Sequence, residues 1–393
     1  MTRPEPLGIS AWTTTSALGR GRTALAEALM AERTGLRHRR FETCTIDCWI
    51  GEVDGLDECL PAGLAAWDCR NNRLAWLALQ QDGFGAAVAD ARSRYGPRRL
   101  GIFMGTSTAG ILEAELAYRA RDRERNILPA GFDHARTSCT YSIGGFARAA
   151  LGLEGVSAVI STACSSSAKV FASARRAIAA GFCDAAVVGG VDSLCLTTLH
   201  GFNSLQLVSR DACRPADAGR NGISIGEAAG FALLEPRATD LALMGTGESS
   251  DAYHMSTPEP DGRGAAAAMS AALGRAGLEP KDIDYVNLHG TATPANDAAE
   301  DRAVCATLGT QVPVSSTKGW TGHVLGAAGM LEAAIALTCI TRGFIPRSLN
   351  TRNVDPALRA NVVMESRAAR VDRVMSNSFG FGGSNCTLIL GRS

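Results

Sequence analysis

Cys164 is the residue that the sequence places best to act as a nucleophile. It lies in VSAVISTACSSSAKV (156–170), where an apolar strand runs through a short turn into an alanine-rich helix. A cysteine at a helix N-terminus faces unpaired backbone N–H groups and the positive end of the helix dipole, and both stabilise a thiolate. A buried structural cysteine in a strand–helix turn is the alternative that this segment alone leaves open.

One histidine ends a predicted strand and a second lies on the loop after another. His289 stands in NLHGTATPAND, with the hydroxyls of Thr291 and Thr293 close behind it, and His323 stands in SSTKGWTGHVLGAA together with Lys318. A lysine and a histidine on a glycine-rich loop could bind phosphate, but the GxxxxGK[ST] pattern of a P-loop is absent. A hydrogen-bonded structural role is the common alternative for a single histidine.

A fourth segment, MSNSFGFGGSN (375–385), flanks Phe381 with glycines. It could be an ordinary turn between strands, or a loop that presents a backbone N–H and a mobile aromatic ring to a ligand. Together the four segments supply a cysteine, two histidines, a lysine and a glycine-flanked phenylalanine. This set is typical of an activated thiol nucleophile with hydrogen-bond donors around it.

Short apolar runs that alternate with alanine-rich stretches must position these residues. The predicted strands are 100–105, 157–160, 185–190, 229–234, 283–289, 312–316 and 386–390. The predicted helices are 168–181, 265–277, 298–308 and 327–342. Continuous apolar strands indicate helices on both faces of a sheet, so the alternation predicts an α/β fold. The best candidate junction between two halves is 237–241.

The composition excludes several classes of protein. The chain has 393 residues with 39 basic and 39 acidic side chains, and zero formal net charge is unlike a general nucleic-acid binder. No apolar run is long enough to predict a membrane span, and the N-terminus does not resemble a secretory signal. The twelve cysteines include no CxxC pair. We therefore expect no metal site, and reduced thiols in a cytoplasmic protein.

With these segments in view, the sequence resembles the elongating β-ketoacyl-[acyl carrier protein] synthases, which are condensing enzymes of the thiolase superfamily. TACSSS resembles their nucleophile motif, HGTATPANDAAE and STKGWTGHVLGAAGMLEA their two histidine motifs, and NSFGFGGSN their C-terminal glycine loop. The resemblance implies a thiolase-like α/β fold of two similar halves in α-β-α-β-α layers. Residues 1–237 would carry the cysteine, and residues 238–393 the two histidines and the Gly-Phe-Gly loop.

The resemblance also implies a reaction, the decarboxylative Claisen condensation of an acyl-cysteine with malonyl-[acyl carrier protein] to give 3-oxoacyl-[acyl carrier protein]. Cys164 would carry the acyl group, and His289 and His323 would hydrogen-bond the malonyl thioester carbonyl. Backbone N–H groups of Cys164 and Phe381 would form the oxyanion hole, and Phe381 would gate the acyl pocket. Lys318 would assist catalysis and pair with Glu332 near the second histidine. The substrate-binding residues would be Thr291, Thr293, Thr108 and Phe379. The outer polar network would be Asp297 and Glu300.

The expected partners are an acyl carrier protein with its acyl and malonyl thioesters, and a second subunit in a homodimer or a heterodimer. Phosphopantetheine would arrive on the carrier, so no resident cofactor is expected. Because such carriers are acidic, a local basic patch is expected despite the zero net charge. The candidate docking residues are Arg70, Arg73, Arg210 and Arg214. Each could instead be a solvated surface residue or part of an internal ion pair.

Two other functions and the choice of pathway stay open. The chain could be a non-catalytic or partner-dependent subunit that resembles a chain-length factor, although such factors lack the nucleophile that Cys164 provides. A thiolase acting on coenzyme A thioesters needs a second catalytic cysteine, for which Cys386 is the one candidate. The loop 106–110 and the divergent first 95 residues leave ordinary fatty-acid synthesis and a specialised polyene or polyketide-like pathway equally open.

Overall fold

The computed structural model describes residues 5–393. The strands are Leu7–Ser16 (β1), Gly19–Arg20 (β2), Arg37–His38 (β3), Trp49–Gly51 (β4), Leu100–Gly105 (β5), Ser157–Ile160 (β6), Ala185–Asp192 (β7), Ile225–Gly226 (β8), Ala228–Glu235 (β9), Leu241–Ser250 (β10), Tyr285–Asn287 (β11), Pro313–Ser315 (β12), Phe344–Ile345 (β13), Asn361–Val362 (β14), Arg367–Ala368 (β15), Arg373–Gly380 (β16) and Ser384–Arg392 (β17). The α-helices are Gly21–Met30 (α1), Arg70–Leu79 (α2), Phe84–Tyr95 (α3), Ile111–Arg119 (α4), Ser142–Leu151 (α5), Ser166–Ala179 (α6), Leu196–Ser204 (α7), Arg263–Ala276 (α8), Pro294–Leu308 (α9), Lys318–Thr321 (α10) and Ala328–Arg342 (α11).

The main sheet contains an internal duplication. Its strands run in the order β14-β12-β11-β16-β17-β10-β1-β9-β7-β5-β6, and β2 pairs with β1 beside this path. Numbered along the chain, β1, β5, β6, β7 and β9 lie in the order 3-2-4-5-1, and β10, β11, β12, β16 and β17 repeat that order. The parallel and antiparallel pairings also match between the halves. Antiparallel pairing of β1 with β10 joins the halves, and residue 237 falls between β9 and β10.

The helices pack in layers around the two half-sheets. Along β7, Ala186 and Val188 face a central core that contains α6 and α11, whereas Val187 faces an outer core with α2, α3 and α5. In the second half, Val374 faces the central core and Met375 faces the outer core with α8 and α9. Strand residues alternate between the two faces of a sheet, so this arrangement gives five layers, α-β-α-β-α. The predicted fold class is confirmed.

The helical segment Leu325–Arg342, which includes α11, is long and apolar enough to cross a membrane by length and composition. In the structure, 89% of it is buried inside the protein, between the two half-sheets and against α6. A helix that is hydrophobic on all sides is expected in the core of a large domain as well as in a membrane. Its apolar character is therefore accounted for by the central layer.

Four connections bring the sequence motifs together. Cys164 lies in the turn between β6 and α6, and His289 lies between β11 and α9. His323 lies between α10 and α11, and Phe381 lies in the turn of the hairpin formed by β16 and β17. The duplication thus places a strand-to-helix turn of each half at the boundary between the halves.

Candidate active site

Cys164 and His323 form the central contact of the site. The turn before Cys164 is tight, because Ala163 adopts a left-handed conformation with φ of +51°. Sγ of Cys164 is 2.9 Å from Nε2 of His323, and both side chains are buried. The backbone of Phe381 faces the same sulfur and acts to lower the pKa of the Cys164 thiol. The predicted nucleophile, second histidine and oxyanion-hole residue therefore meet at one point.

Burial sets the protonation state of this pair. The sequence predicts that the helix dipole favours a thiolate, but burial raises the pKa of the Cys164 thiol to about 12, and the charge of Lys318 offsets only part of that rise. Burial also lowers the pKa of His289 and of His323 well below the usual range, and Lys318 acts in the same direction. The resting pair is a neutral thiol beside a neutral imidazole, so the proton must leave the sulfur as the sulfur attacks.

His289 lies edge-on to His323, with 5.2 Å between the ring centroids. Nζ of Lys318 is 3.4 Å from Nδ1 of His289 and 2.5 Å from Oε1 of Glu332, and all these side chains are buried. The predicted Lys318–Glu332 ion pair therefore exists, but Lys318 contacts the first histidine rather than the second. Burial raises the pKa of Glu332 to about 7, against the opposing effect of Lys318.

Two buried carboxyl groups on α9 hold the loop that follows β11. Glu300 accepts the backbone N–H of His289 at 2.8 Å on one oxygen and the N–H of Gly290 at 2.7 Å on the other. Asp297 accepts the N–H of Ala292 at 3.2 Å and a second N–H from a loop of the first half. Burial raises the pKa of Glu300 to about 7 and also raises the pKa of Asp297. Both carboxyl groups act on the loop backbone.

A cavity of about 270 Å³ gives access to the reactive side chains. The predicted site residues that line it are Cys164, His289, His323, Thr291, Thr293, Phe379 and Phe381. The two threonine hydroxyls are 2.9 Å apart, so one can donate to the other until a ligand replaces it. The cavity is therefore apolar near the aromatic rings and carries hydroxyl groups along one wall.

Phe202 on α7 is a cavity residue that the sequence analysis missed. Its ring centroid is 5.6 Å from that of Phe381, and the rings are tilted by 49°. Phe202 is half-buried on a helix that is mostly exposed, and no motif in the sequence around it indicated that it reaches the cavity. The predicted gate residue therefore rests against a second aromatic ring.

The structure does not place Thr108 on the wall of the cavity. Thr108 is buried, and its hydroxyl and its backbone N–H are each 2.9 Å from Oδ1 of Asp192. The hydroxyl is thus committed to a carboxylate inside the protein. The sequence could not reveal this because the acceptor lies on a strand 84 positions further along the chain.

Two of the four predicted docking arginines belong to internal ion pairs. Arg70 is largely buried, and its guanidinium is 2.6 Å from Oε1 of Glu227, a carboxylate with no exposed surface. Arg73 is 2.6 Å from Asp68, and hydrogen bonding to that carboxylate raises the pKa of Arg73 further. Arg70 therefore neutralises a buried charge, which corrects its assignment as a docking residue.

The other two arginines differ in whether they have an ion-pair partner. Arg214 is 3.2 Å from Asp211, an exposed carboxylate three residues before it. Arg210 is exposed, and within residues 5–393 it has no hydrogen bond or ion pair. Of the four candidates, Arg210 is the one available to an acidic partner.

The catalytic cluster also has the donor set of a metal site. One ligand atom from each of Cys164, His289 and His323 lies within 4.8 Å of the others. The same contacts serve proton transfer and hydrogen bonding without a metal. The expectation that no metal is needed stays a prediction.

Comparison with known proteins shows which family has this arrangement of residues. The β-ketoacyl synthase N-terminal domain profile matches residues 72–240, and the C-terminal domain profile matches residues 242–352. The chain belongs to the β-ketoacyl synthase family. The recognition drawn from the motifs and the assignment as a condensing acyltransferase are confirmed.

Individual relatives agree with the family. The chain is 39% identical over 258 residues to 3-oxoacyl-[acyl-carrier-protein] synthase 2 of Synechocystis, which covers 61% of this chain and 62% of that protein. It is 36% identical over 315 residues to the enzyme of the same name from Coxiella burnetii, which covers 75% of each protein.

Solved structures of similar fold include complexes of two related subunits. A chain of the ketosynthase ApeO in complex with its chain length factor ApeC, from Xenorhabdus doucetiae, has a TM-score of 0.91 at 37% identity, with 100% of this chain and 99% of that chain covered. A chain of the ishigamide ketosynthase/chain length factor has a TM-score of 0.88 at 26% identity, with 99% of this chain and 100% of that chain covered.

Proposed function

We propose that the chain joins an acyl group on Cys164 to malonyl-[acyl carrier protein] with loss of carbon dioxide, giving 3-oxoacyl-[acyl carrier protein]. The observation that carries the proposal is the convergence of Sγ of Cys164, Nε2 of His323 and the ring of His289 at one cavity. A second histidine in place of a second cysteine suits decarboxylation better than thiolase chemistry. Cys386 is fully buried in β17, does not line the cavity and has a pKa raised by burial, which argues against the thiolase alternative.

The first step is acyl transfer. As Sγ of Cys164 attacks the thioester carbonyl, its proton passes to Nε2 of His323, 2.9 Å away. The backbone N–H groups of Cys164 and Phe381 stabilise the oxyanion, and the carbon–sulfur bond to the carrier breaks. The leaving thiolate takes the proton from Nε2 of His323, which restores the neutral imidazole that the low pKa favours. Before the second step the neutral ring exchanges protons with solvent and takes the tautomer that carries its proton on Nε2.

The second step is decarboxylation and condensation. The N–H groups of His289 and His323 donate to the malonyl thioester carbonyl and stabilise the enolate as carbon dioxide leaves. The enolate carbon attacks the acyl carbonyl, a carbon–carbon bond forms, and the bond to Sγ of Cys164 breaks. The released thiolate takes a proton from solvent, which regenerates the neutral thiol. Preorganised donors aimed at developing charge are each worth about 10²–10³ in rate. Burial, together with Lys318 beside Nδ1, lowers the pKa of His289 and keeps the ring neutral, so that it acts as a hydrogen-bond donor rather than an acid.

The carrier protein brings the phosphopantetheine arm, which enters along the wall formed by Thr291 and Thr293 and hydrogen-bonds their hydroxyls. We expect that no resident cofactor takes part and that a chelator will leave turnover unchanged. Arg210 contributes to the docking surface for the acidic carrier. We also propose a cytoplasmic location.

The chain works as a pair with a related subunit. Support comes from β6, which forms an edge of the main sheet and is flanked by the exposed side chain of Val156. An edge strand of this kind is a template for pairing with another chain. The two similar structures that contain a chain length factor support a heterodimer, in which this chain, with Cys164 present, is the catalytic member.

The test uses the purified chain, alone and mixed with a chain length factor as the candidate partner subunit, with malonyl-carrier protein and an acylated carrier. We expect Cys164→Ala to abolish condensation, and His289→Ala and His323→Ala to abolish malonyl decarboxylation. His200→Ala, which alters an exposed histidine outside the cavity, is the matched control. Decarboxylation that persists in both active-site histidine variants would refute the assigned roles. Condensation only in the mixture would favour the partner-dependent form.

A further inference from the structure

Asp192, at the end of β7, is a fully buried carboxylate that the proposed steps do not use. It accepts hydrogen bonds from the loop after β5: at Oδ1 from the hydroxyl of Thr106 at 2.6 Å and the N–H of Thr108 at 2.9 Å, and at Oδ2 from the hydroxyl of Ser107 at 2.6 Å. Oδ2 also accepts the backbone N–H of Gly326 at 2.5 Å. One carboxylate thus joins two loops that are about 220 residues apart in sequence.

Gly326 belongs to the connection that carries His323. A Cβ at position 326 would lie 2.7 Å from both Oδ2 of Asp192 and the backbone N of Ser107, so the two loops touch backbone to backbone. Leu325, just before it, adopts a left-handed conformation with φ of +53°. The other side of the connection is fixed because the N–H of His323 donates to the carbonyl of Ser224 at 2.7 Å. His323 is therefore held at one end by backbone pairing and at the other by Asp192.

We propose that Asp192 is a positioning residue that clamps the His323 loop against the loop 106–108 and so sets the contact between His323 and Cys164. The inference rests on the proposed function, because it concerns the same reaction. Asp192 touches neither substrate nor the reacting atoms and acts through Gly326. The negative charge also disfavours the free thiolate of Cys164, which adds to the need for transfer of its proton to His323.

The chemistry of the site requires a carboxylate. Both oxygens of Asp192 face only donors: the hydroxyls and N–H groups of one loop and the N–H of Gly326. An asparagine has one acceptor oxygen, and its NH₂ group would face N–H or O–H donors. A buried donor that loses its partner is strongly unfavourable, so we expect Asp192→Asn to release one of the two loops.

The decisive comparison is Asp192→Asn with Asp284→Asn. Asp284 accepts the N–H groups of residues 372 and 373 through one oxygen, far from the cavity, so its asparagine variant keeps both acceptor contacts. We expect the malonyl decarboxylation kcat of Asp192→Asn to fall about 10²-fold, as a misplacement of about 1 Å can produce. The KM for the malonyl-carrier should change less than about twofold. Because a loss of folded enzyme would also lower the apparent kcat at constant KM, kcat is calculated per folded protein, with the folded fraction measured by circular dichroism. Asp284→Asn should match the wild type.

A second variant and a second measurement distinguish failure of this inference from misfolding of the variant and from failure of the proposed function. Gly326→Ala leaves the carboxylate in place but forces the loops apart, and it should give the same kcat loss if Asp192→Asn does not fold. Alkylation of Cys164 by iodoacetamide, read by peptide mass spectrometry, reports the Cys164–His323 contact without any carrier substrate. We expect both variants to alkylate at the rate of His323→Ala. Wild-type alkylation rates in both variants would overturn the role of Asp192, whereas absent decarboxylation in the wild type would overturn the proposed function alone.

Discussion

Glu300→Gln tests how a buried carboxyl group on α9 positions His289. Glu300 accepts the N–H of His289 on one oxygen and the N–H of Gly290 on the other. The side-chain amide of Asn377 donates a third hydrogen bond to Glu300 at 3.2 Å. Glutamine offers one acceptor oxygen and an NH₂ group. One of the two backbone N–H groups must therefore lose its partner, at about 1–3 kcal/mol, and the loop that carries His289 loosens.

The burial of this group also fixes the sign of a pH effect. The pKa of Glu300 rises from 4.5 to about 7 through burial, and one pKa unit corresponds to about 1.4 kcal/mol. Because the folded state holds the proton more tightly than the unfolded chain, the stability contributed by this group is complete below about pH 4.5. It is lost as the pH rises through about 7, and the loss between about pH 5 and 8 is about 2–3 kcal/mol.

Denaturant unfolding of wild type and Glu300→Gln at about pH 5 and about pH 8 measures the effect. The Gln side chain does not titrate, so the wild type should lose about 2–3 kcal/mol relative to the variant between the two pH values, while other groups cancel. Asp301→Asn on the same helix is the control, because Asp301 accepts both of its backbone N–H groups on one oxygen, which asparagine retains. The malonyl decarboxylation rate should fall in Glu300→Gln and persist in Asp301→Asn. A stability difference that does not change with pH would refute the reasoning.

Three further outcomes follow from the structure. Arg70→Ala should destabilise the protein by about 3–5 kcal/mol in denaturant unfolding, because it leaves Glu227 buried and unpaired, and a variant as stable as the wild type would contradict the ion pair. Arg210→Glu should raise the KM for the acidic carrier protein without changing stability, and an unchanged KM would remove this residue from the docking surface. Gly380→Ala would place a Cβ 2.8 Å from a carbonyl before Cys164 and displace the N–H that meets its sulfur. Acylation of the variant should slow about 10²-fold in stopped-flow measurements, and a wild-type rate would exclude that N–H from the oxyanion hole.

The chemistry and the local elements around the site were predictable from the sequence. The strand before Cys164 was predicted as 157–160 and is β6, and the helix after it was predicted as 168–181 and is Ser166–Ala179. These predictions hold because apolar runs and alanine-rich stretches mark buried strands and helices directly. The cysteine and both histidines stand at the ends of such elements, where a fold brings side chains together.

Polar strands were not predictable in the same way. β1 contains the run Thr13–Thr15, which is buried because hydroxyl groups such as Thr13 and Thr14 donate to carbonyls of α2 and β9. β16 contains Ser376–Ser378, and its glycine-rich end was interpreted as a loop. Thr13 and Thr14 in β1 and Asn377 in β16 bind partners far away in sequence, so the local pattern does not reveal that these strands are buried.

Charge and protonation depended on the same long-range information. The direction of the pKa change at Cys164 reverses the prediction from the helix dipole because burial outweighs it, and burial at this turn comes from both halves. The pairing of Arg70 with Glu227 joins residues 157 positions apart. The hydroxyl of Thr108 donates a hydrogen bond to Asp192 and does not line an acyl channel. In each case the sequence shows which residue is present but does not show what surrounds it in the folded protein.

Intact-protein mass spectrometry after incubation with acylated carrier protein, alone and with a related subunit, tests the central claim most directly. The measurement compares the wild type with Cys164→Ala across short, long and unsaturated acyl chains. We predict a single acyl adduct on the wild type, its absence from Cys164→Ala, and its discharge as 3-oxoacyl-carrier protein when malonyl-carrier protein is added. An adduct that persists in Cys164→Ala, or no adduct under any of these conditions, would contradict the account of Cys164 as the nucleophile of a condensing enzyme.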